Sequence, residues 1–387
     1  MKETILKTFA EVFGDAEGAK AYFAPGRVNL IGEHTDYNGG HVFPCALTIG
    51  TYGVARKRND NKLRFYSMNF GHLGVIESSL EDLVPSKEAG WTNYPKGVIW
   101  AFGEKGMKVT SGMDLLLNGN IPNGSGLSSS ASVEVLTGYI LRDFFGFDVT
   151  NQDLALIGQF SENKYNKVNC GIMDQFASVF GKAGSLIRLD CRSLEYQYFP
   201  FDPQGYRLVL VDSVVKHELA SSAYNKRRQS CEAAVAAVQK KHPHVEFLRD
   251  VTMGMLEEAK ADISAEDYMR AEYVIEEIQR VLDVCDALEK GDYETVGQKM
   301  YETHHGMSKL YEVSCEELDF LNDLAFDCGV TGSRVMGGGF GGCTINLVKD
   351  ELYSTFIEKA KDEFKKKFGR SPKVYDVVIS DGARRLE

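Results

Sequence analysis

A chain of 387 residues exceeds what a single hydrophobic core usually serves, so two domains with a cleft between them, or one large domain with an appendage, are the first expectation. At 43% hydrophobic and 26% charged residues it can bury a sizeable core, which excludes long disorder. The net charge of −11 argues against nucleic acid or an anionic membrane surface as principal partner, since both need a basic footprint; a phosphate-bearing substrate would need positive charge supplied locally or by a metal.

The opening "MKETILKTFAEVF" sets apolar residues at helical spacing among charges and predicts an amphipathic helix over about residues 2–13, not a signal peptide. "AYFAPGRVNLIG" is an apolar run broken by Pro25 and Gly26 and reads as strand, turn, strand; further strands follow through "GTYGVARKRNDNKLRFYS". From Ser128 the pattern turns helical, with Val133, Leu136, Tyr139 and Ile140 on one face, and helices continue to about Phe180. After the strand region "LIRLDCRSLEYQYFPF", Pro200 to Pro203 mark a boundary, giving domains 1–200 and 201–387. The second block opens with strand "YRLVLVDS" and holds three long helical stretches between Ser222 and Cys328. It closes with strand "GSRVMG", strand "CTINLV", helix "ELYSTFIEKAKDEFKKKFG" and strand "KVYDVVIS". The fold class is α+β without regular βαβ alternation, and with no repeat or low-complexity linker the two blocks should pack tightly. No apolar run approaches 18 residues, so no membrane span is expected. The eight cysteines show no CxxC pair and no zinc spacing, and read as reduced, mostly buried thiols of a cytoplasmic protein.

Three stretches carry chemistry. "GRVNLIGEHTDYNGG" (26–40) crowds Arg27, Glu33, His34 and Asp36 among glycines, a density of polar groups that seldom builds a core because each buried one needs a partner. It is a binding turn, a solvated turn, or a metal site using His34, Asp36 and His41. "PNGSGLSSSA" (122–131) lies between a strand and a helix. Its glycines admit a ligand to the backbone, its hydroxyls can donate to phosphate or bind a metal, and the helix N-terminus favours negative charge. The stretch lacks the lysine of a P-loop, and the plain alternative is a serine-rich helix cap. "GGGFGGC" (337–343) satisfies GxGxxG but runs into a strand, so a Rossmann reading fails; it is either a close-packed structural loop or a wall of the cleft.

In this order the three stretches resemble the GHMP small-molecule kinase superfamily and, within it, the galactokinase family. "WTNYPKGV" (91–98), "NCGIMDQFAS" (169–178), "LASSAYNKRR" (219–228) and "YEVSCEELDFL" (311–321) extend the likeness over nearly the whole chain. The resemblance implies the two-domain GHMP kinase fold with its active site in the interdomain cleft, and ATP-dependent phosphorylation of the anomeric hydroxyl of D-galactose, with Mg2+. It implies Arg27 and Asp174 as catalytic residues, Asp174 facing the anomeric hydroxyl, and Glu33, His34, Asp36, Gly171 and Tyr224 around the sugar. The ATP phosphates would lie on Gly124, Ser125, Gly126, Leu127, Ser128, Ser129 and Ser130, adenine on Trp91 and Tyr94, and Mg2+ on Ser130 and Glu162. A monomer is expected, with neither nucleic acid nor membrane as partner.

Sugar hydroxyls both donate and accept, which suits the carboxylates and histidine of the first turn. Magnesium needs only one or two protein oxygens beside those of a nucleotide. Asp174 falls in the first turn of a helix that Asn169 could cap. The helix dipole and, by the family likeness, a nearby Arg27 would both favour its ionised form, so it should orient the hydroxyl and take its proton late. Trp91 is equally readable as a core anchor, and His304 and His305 as structural. Three positions depart from the family pattern: Asn166-Lys167 stands where Val-Gly is usual, Pro95 replaces a β-branched residue, and Met336 replaces threonine.

Overall fold

The computed structural model describes residues 1–87, 90–215 and 220–387, with the side chains of 220 and 221 left aside; the start of "LASSAYNKRR" at Leu219 therefore lies outside the described residues. The first helix, α1 (Lys2–Phe13), covers the predicted span. Among the described residues eight strands and four helices follow to residue 200: β1 (Lys20–Asn29), β2 (His41–Val42), β3 (Pro44–Lys57), β4 (Lys62–Ser67), β5 (Ile76–Ser79), α2 (Asn93–Glu104), β6 (Met113–Gly119), α3 (Ser129–Phe145), α4 (Asn151–Phe160), α5 (Met173–Phe180) and the hairpin β7 (Ser185–Asp190) and β8 (Tyr196–Pro200) make up this half. The second half runs β9 (Tyr206–Asp212), α6 (Ala220–Gln239), α7 (Met253–Glu258), α8 (Ala265–Glu289), α9 (Tyr293–Lys309), α10 (Glu316–Asp327), β10 (Gly332–Val335), β11 (Cys343–Lys349), α11 (Tyr353–Phe368), β12 (Lys373–Asp376) and β13 (Arg384–Arg385).

Three sheets organise these elements: β13-β1-β3-β6-β4-β5, β10-β11-β9-β12 and β2-β7-β8. In the largest, residues of alternate parity feed opposite faces, as strand geometry requires. Tyr22, Ala55, Leu115 and Leu117 join the core under α2 to α5, while Ala21, Val54 and Leu116 pack on Ile5, Phe9 and Phe13 of α1. A second core spans the two halves without a break, bringing Val28, Leu30, Phe43 and Leu127 against Leu208, Val281, Ile345 and Leu347, which is the tight packing expected.

Three expectations need correction. The segment read as strand, turn, strand is one strand, β1, with a register shift between Pro25, opposite Gly50, and Arg27, opposite Ala46. Pro25 has no N–H to give a ladder, and the irregularity absorbs it. The residues of β3 freed there turn to the end of the chain, where Leu47 bridges Ile379 and the Thr48 N–H donates to the Val378 carbonyl at 3.0 Å. The helical region after Ser222 contains four long helices (α6, α8, α9, α10) and the short α7, not three. The last strand stops at Asp376, and the tail crosses back to pair β13 with β1.

Asp114 on β6 is buried, and it accepts from Arg56 on β3 (2.9 Å), Arg58 just beyond it (2.9 Å) and Arg64 on β4 (2.6 Å). Burial pushes its carboxyl up, but three guanidinium groups hold it below the usual aspartate value. Its contribution to stability is therefore complete above about pH 4, the unfolded value, and is lost as pH falls through the lower folded value. Asp114→Asn takes the shared carboxylate from three guanidinium groups, of which Arg56 keeps Asp15 and Arg58 keeps Asp60, and should cost about 2 kcal/mol in urea unfolding at pH 7 while leaving ligand affinities unchanged. The gap between parent and variant should narrow below pH 4, where protonation disarms the parent as well.

Candidate active site

The register shift in β1 sets the stage, because it frees the Arg27 N–H to donate to the Leu127 carbonyl at 3.2 Å. Gly26 lies so close to the same carbonyl that a Cβ there would stand 2.6 Å from it. Arg27, 4% exposed, grips Asp174 of α5 with two parallel bonds, Nε to Oδ1 at 2.7 Å and Nη2 to Oδ2 at 3.1 Å; its Nη1 donates to the Gly126 carbonyl at 2.7 Å. Asp174 also accepts the Ser128 hydroxyl at 2.5 Å, yet its side chain remains 30% exposed and lines a cavity of about 300 Å³. A carboxylate held by three donors and still open on one side can receive a ligand hydroxyl. Ile172 and not Asn169 precedes α5, and no side chain caps it. Asn169 is instead held by α6, its N–H donating to Asn225 Oδ1 at 3.1 Å and its carbonyl accepting from Arg228 at 3.0 Å.

The same cavity is lined by Glu33, His34, Asp36, Gly171 and Tyr224. Glu33 is 1% exposed, and its Oε1 accepts from Arg334 of β10 (3.0 Å) and from the Gly337 N–H (2.8 Å); among the described residues Oε2 has no hydrogen bond. Asp36 accepts the Tyr37 and Met173 N–H groups at 3.0 and 3.4 Å. Burial and then the neighbouring Asp174 push its carboxyl up to about 6. Gly171 has to be glycine, since a Cβ there would lie 2.1 Å from Asp36 Cγ. The His34 ring bonds Tyr37 through Nδ1 (2.7 Å) and the Gly338 carbonyl through Nε2 (3.1 Å), so in this arrangement neither nitrogen is available to a sugar hydroxyl. Burial lowers its pKa to about 4 and keeps it neutral.

The serine-rich stretch divides by residue. Leu127 sits in the core, Ser125 donates its hydroxyl to the Pro122 carbonyl at 2.7 Å, and Ser128 spends its own on Asp174, so of these three only the backbone can face a ligand. Ser129 and Ser130 open α3, whose first-turn N–H groups face the cleft. Both serines, with Ile121, also line a second cavity of about 460 Å³ that contains Trp91, Tyr94 and Phe70. Trp91 packs edge-on to Phe65 at 6.3 Å and its buried indole N–H lacks an acceptor among the described residues, so it is both a core neighbour and a cavity wall.

Glu162 lies in a π-helical turn (Ser161–Tyr165) at the end of α4, beside Ser130 and Glu134. The two carboxyls lie against each other, and among the described residues Glu162 Oε2 and Glu134 Oε1 are buried without a well-aligned donor. Hard, orphaned carboxylate oxygens next to a hydroxyl fit a divalent cation that brings its other ligands with it. The alternative metal site on His34, Asp36 and His41 fails: His41 turns to Asp190 at 3.4 Å, and no group of three or more such ligands occurs among the described residues. His304, bonded to Asp319 at 3.0 Å and to the Val335 N–H, is structural as expected.

The final glycine loop proves to be both of the things proposed for it. A Cβ on Gly337 would lie 3.1 Å from the Gly126 carbonyl, and one on Gly342 would lie 2.9 Å from that of Ser125; Gly338 meanwhile lines the cavity. Sequence reasoning missed Arg334, whose only signal was a lone charge inside the apolar strand "GSRVMG", and Glu134, hidden in a helical run. The three departures acquire reasons. Pro95 sits in the first turn of α2, where its missing N–H costs nothing. Met336 is buried, with its sulfur 3.6 Å from Arg27 Nη1. Lys167 has φ of +64°, the left-handed region where glycine is at ease.

Residues 7–57 match the galactokinase galactose-binding signature, 93–182 the GHMP kinases N terminal domain and 284–366 the GHMP kinases C terminal domain. The chain is 46% identical to the galactokinase of Clostridium beijerinckii and 45% identical to that of Bacillus subtilis, in both cases over 100% of this chain and at least 98% of the relative. It superposes on the Lactococcus lactis galactokinase complexed with galactose with a TM-score of 0.96 at 37% identity, covering 100% of both chains. The mevalonate kinase of Methanococcus jannaschii, at 17% identity and a TM-score of 0.66, shares the fold.

Lys167→Gly should leave stability unchanged or raise it by up to about 1 kcal/mol, the relief of a left-handed side chain being partly offset by the freer unfolded chain. Lys167→Val, β-branched at the same φ, should fall at least about 1 kcal/mol below the glycine variant. Midpoints of urea unfolding check both.

Proposed function

Because the chain belongs to the galactokinase family of the GHMP kinases, we propose how the residues of its cleft carry out phosphoryl transfer from ATP to the anomeric hydroxyl of α-D-galactose. The chain is a sugar kinase that yields galactose 1-phosphate and ADP, the entry step of the Leloir pathway. The observation that carries the residue assignment is the two-bonded Arg27–Asp174 pair, which stands between the polar chamber and the serine-rich start of α3.

In this reading Glu33 through Oε2, Asp36, the Gly171 backbone and Tyr224 hold the ring hydroxyls, while His34 contributes its ring face and the shape of the turn. ATP lies across the start of α3, with its phosphates on the backbone and hydroxyls of Ser129 and Ser130 and its base in the Trp91–Tyr94 chamber. Asp174 receives the anomeric hydroxyl on its open side and orients the oxygen toward phosphorus. A loose, metaphosphate-like transition state draws little on a base until the new bond forms, so the proton passes to Asp174 late. Arg27 holds the carboxylate still and offsets charge on the transferring group. Ser130 and Glu162, with Glu134 behind, would hold Mg2+, which when bound shields the phosphates and neutralises developing charge. The proposed working unit is a monomer, since one chain supplies every cleft residue, and eight free cysteines suit a reducing, cytoplasmic setting.

A coupled ADP-release assay over a panel of sugars tests the reading: galactose should drive release, and the absence of any sugar-dependent ADP would sink it. In that assay Asp174→Asn should lose about 10² to 10⁴ in kcat while still binding ATP. Adding Arg27→Met to it should cost much less than the product of the single losses, because the arginine acts through the carboxylate. A second measurement concerns the metal: Glu162→Gln should raise the magnesium concentration needed for half-maximal Mg-nucleotide binding by calorimetry, and an overlay with the parent would remove Glu162 from the ligand set.

A further inference from the structure

The His34 imidazole is the inner end of a chain of hydrogen bonds reaching the core of the helical half. Its Nε2 lies 3.1 Å from the Gly338 carbonyl and its Nδ1 2.7 Å from the Tyr37 hydroxyl. That hydroxyl is 2.7 Å from the Tyr311 hydroxyl, which is 3.3 Å from Cys231 Sγ on α6; Asn38 Nδ2 donates to the same sulfur at 3.5 Å.

The direction of every link follows from the first. A carbonyl can only accept, so His34 Nε2 carries the proton and Nδ1 is a bare acceptor. Tyr37 must then donate to Nδ1, Tyr311 must donate to Tyr37, and the Cys231 thiol must donate to Tyr311 while its sulfur accepts from Asn38. Reversing any link would leave two acceptors or two protons facing each other in a buried place.

We propose that this one-way chain locks His34 as its Nε2–H tautomer, and that Tyr37 and Tyr311 are thereby positioning residues for galactose. The lock has something to hold. His34 has φ of +64°, a strained conformation for a histidine that persists only if its surroundings impose it. Its ring packs on Tyr224 and Tyr311 at centroid distances of 5.2 and 4.7 Å, and Gly338 packs beneath the Tyr224 ring. Tyr224, His34 and Gly338 thus form one wall of the sugar cavity, joined by the Nε2–H bond. The outer end is anchored as well, because Arg227 Nε donates to the Tyr311 carbonyl at 2.7 Å.

The proposal rests on the galactose reading of the cavity, and the two fail separately: a parent enzyme that releases no ADP with galactose defeats the reading, whereas the chain is tested on the tautomer. Protein labelled with 15N-histidine, its His34 signals assigned by their loss in His34→Gln, should show the parent ring protonated at Nε2 alone. Tyr37→Phe, which keeps the aromatic ring and leaves the Gly338 carbonyl to hold Nε2–H, should move the His34 Nδ1 signal to that of an acceptor without a donor and raise the KM for galactose about tenfold, with kcat and the KM for ATP within about twofold of the parent. Tyr311→Phe should do the same to a smaller extent, since Tyr37 can still donate. A parent His34 protonated at Nδ1, or at both nitrogens, overturns the proposal without recourse to any variant. So does a Tyr37→Phe enzyme with unchanged galactose KM, or one whose KM rises while the His34 Nδ1 signal stays where it is in the parent, which would mark Tyr37 as mere packing.

Discussion

The site depends first on the buried pair of Glu33 and Arg334. Taking a carboxylate and a guanidinium out of water costs several kcal/mol each, and their attraction offsets this only when the remaining donors and acceptors are satisfied. They are satisfied. Arg334, with no exposed side-chain surface, donates through Nε to the Leu30 carbonyl at 2.8 Å, through Nη1 to that of Val335 at 2.6 Å, and through Nη2 to that of Asn29 and to Glu33. A residue of β10 thereby fixes the path of the chain as it leaves β1, at Asn29 and Leu30, just before it reaches the polar turn at Glu33. Removing either partner would leave a charge in the dry seam between the halves, so the polar turn and the final glycine loop hold their relative positions as one unit.

Around that pair the halves meet backbone to backbone. Gly337 and Gly342 bring the last loop against the carbonyls of Gly126 and Ser125, and within the first half Gly26 of β1 comes as close to that of Leu127. Side chains would hold these segments apart and open the cleft to water. The cost is conformational: His34, Ser128, Lys167 and Phe340 adopt positive φ without being glycine. For Ser128 the strained backbone comes with a hydroxyl that reaches Asp174, so conformation and chemistry are specified by the same residue.

Much of this was legible in the sequence, for identifiable reasons. Arg27, Glu33 and Asp36 were visible because polar residues clustered with glycine have few structural uses, and the elements of α3, α5, β9 and β11 because their apolar periods are clean. The illegible parts depend on tertiary partners. Nothing local announces that Arg334 faces Glu33, 301 positions away, or that the Ser128 hydroxyl is spent on Asp174. Asn169 looked like a helix cap because it sits just ahead of a helix, yet α6 claims it from the other half of the chain. The Pro-Gly pair in β1 looked like a turn because Pro25 removes a ladder donor; the strand instead shifts register and hands the surplus residues of β3 to the C-terminal tail, a solution that only the sheet's full width reveals.

The charge balance of the cleft explains why its chemistry has to be assembled and not merely present. Among the described residues the polar cavity is lined by one guanidinium, Arg27, and four carboxylates, Glu33, Asp36, Glu162 and Asp174, with His34 held neutral. Arg334 compensates Glu33 and Arg27 compensates Asp174, which leaves Asp36 and Glu162 without a cationic partner; burial pushes both carboxyls upward in consequence. A neutral sugar is welcome in such a place, because its hydroxyls donate to the uncompensated oxygens without adding charge. A bare triphosphate is not, and the helix N-terminus at Ser129 supplies only about half a positive charge. On the proposed assignment the nucleotide would arrive with its own counter-cation, and the carboxylate oxygens of Glu162 and Glu134 that lack a donor among the described residues are where such an ion would be received. In the proposed mechanism the acidic surplus thus ties the two substrates to different sources of compensation: protein carboxylates for the sugar's donors, and an imported cation for the phosphates.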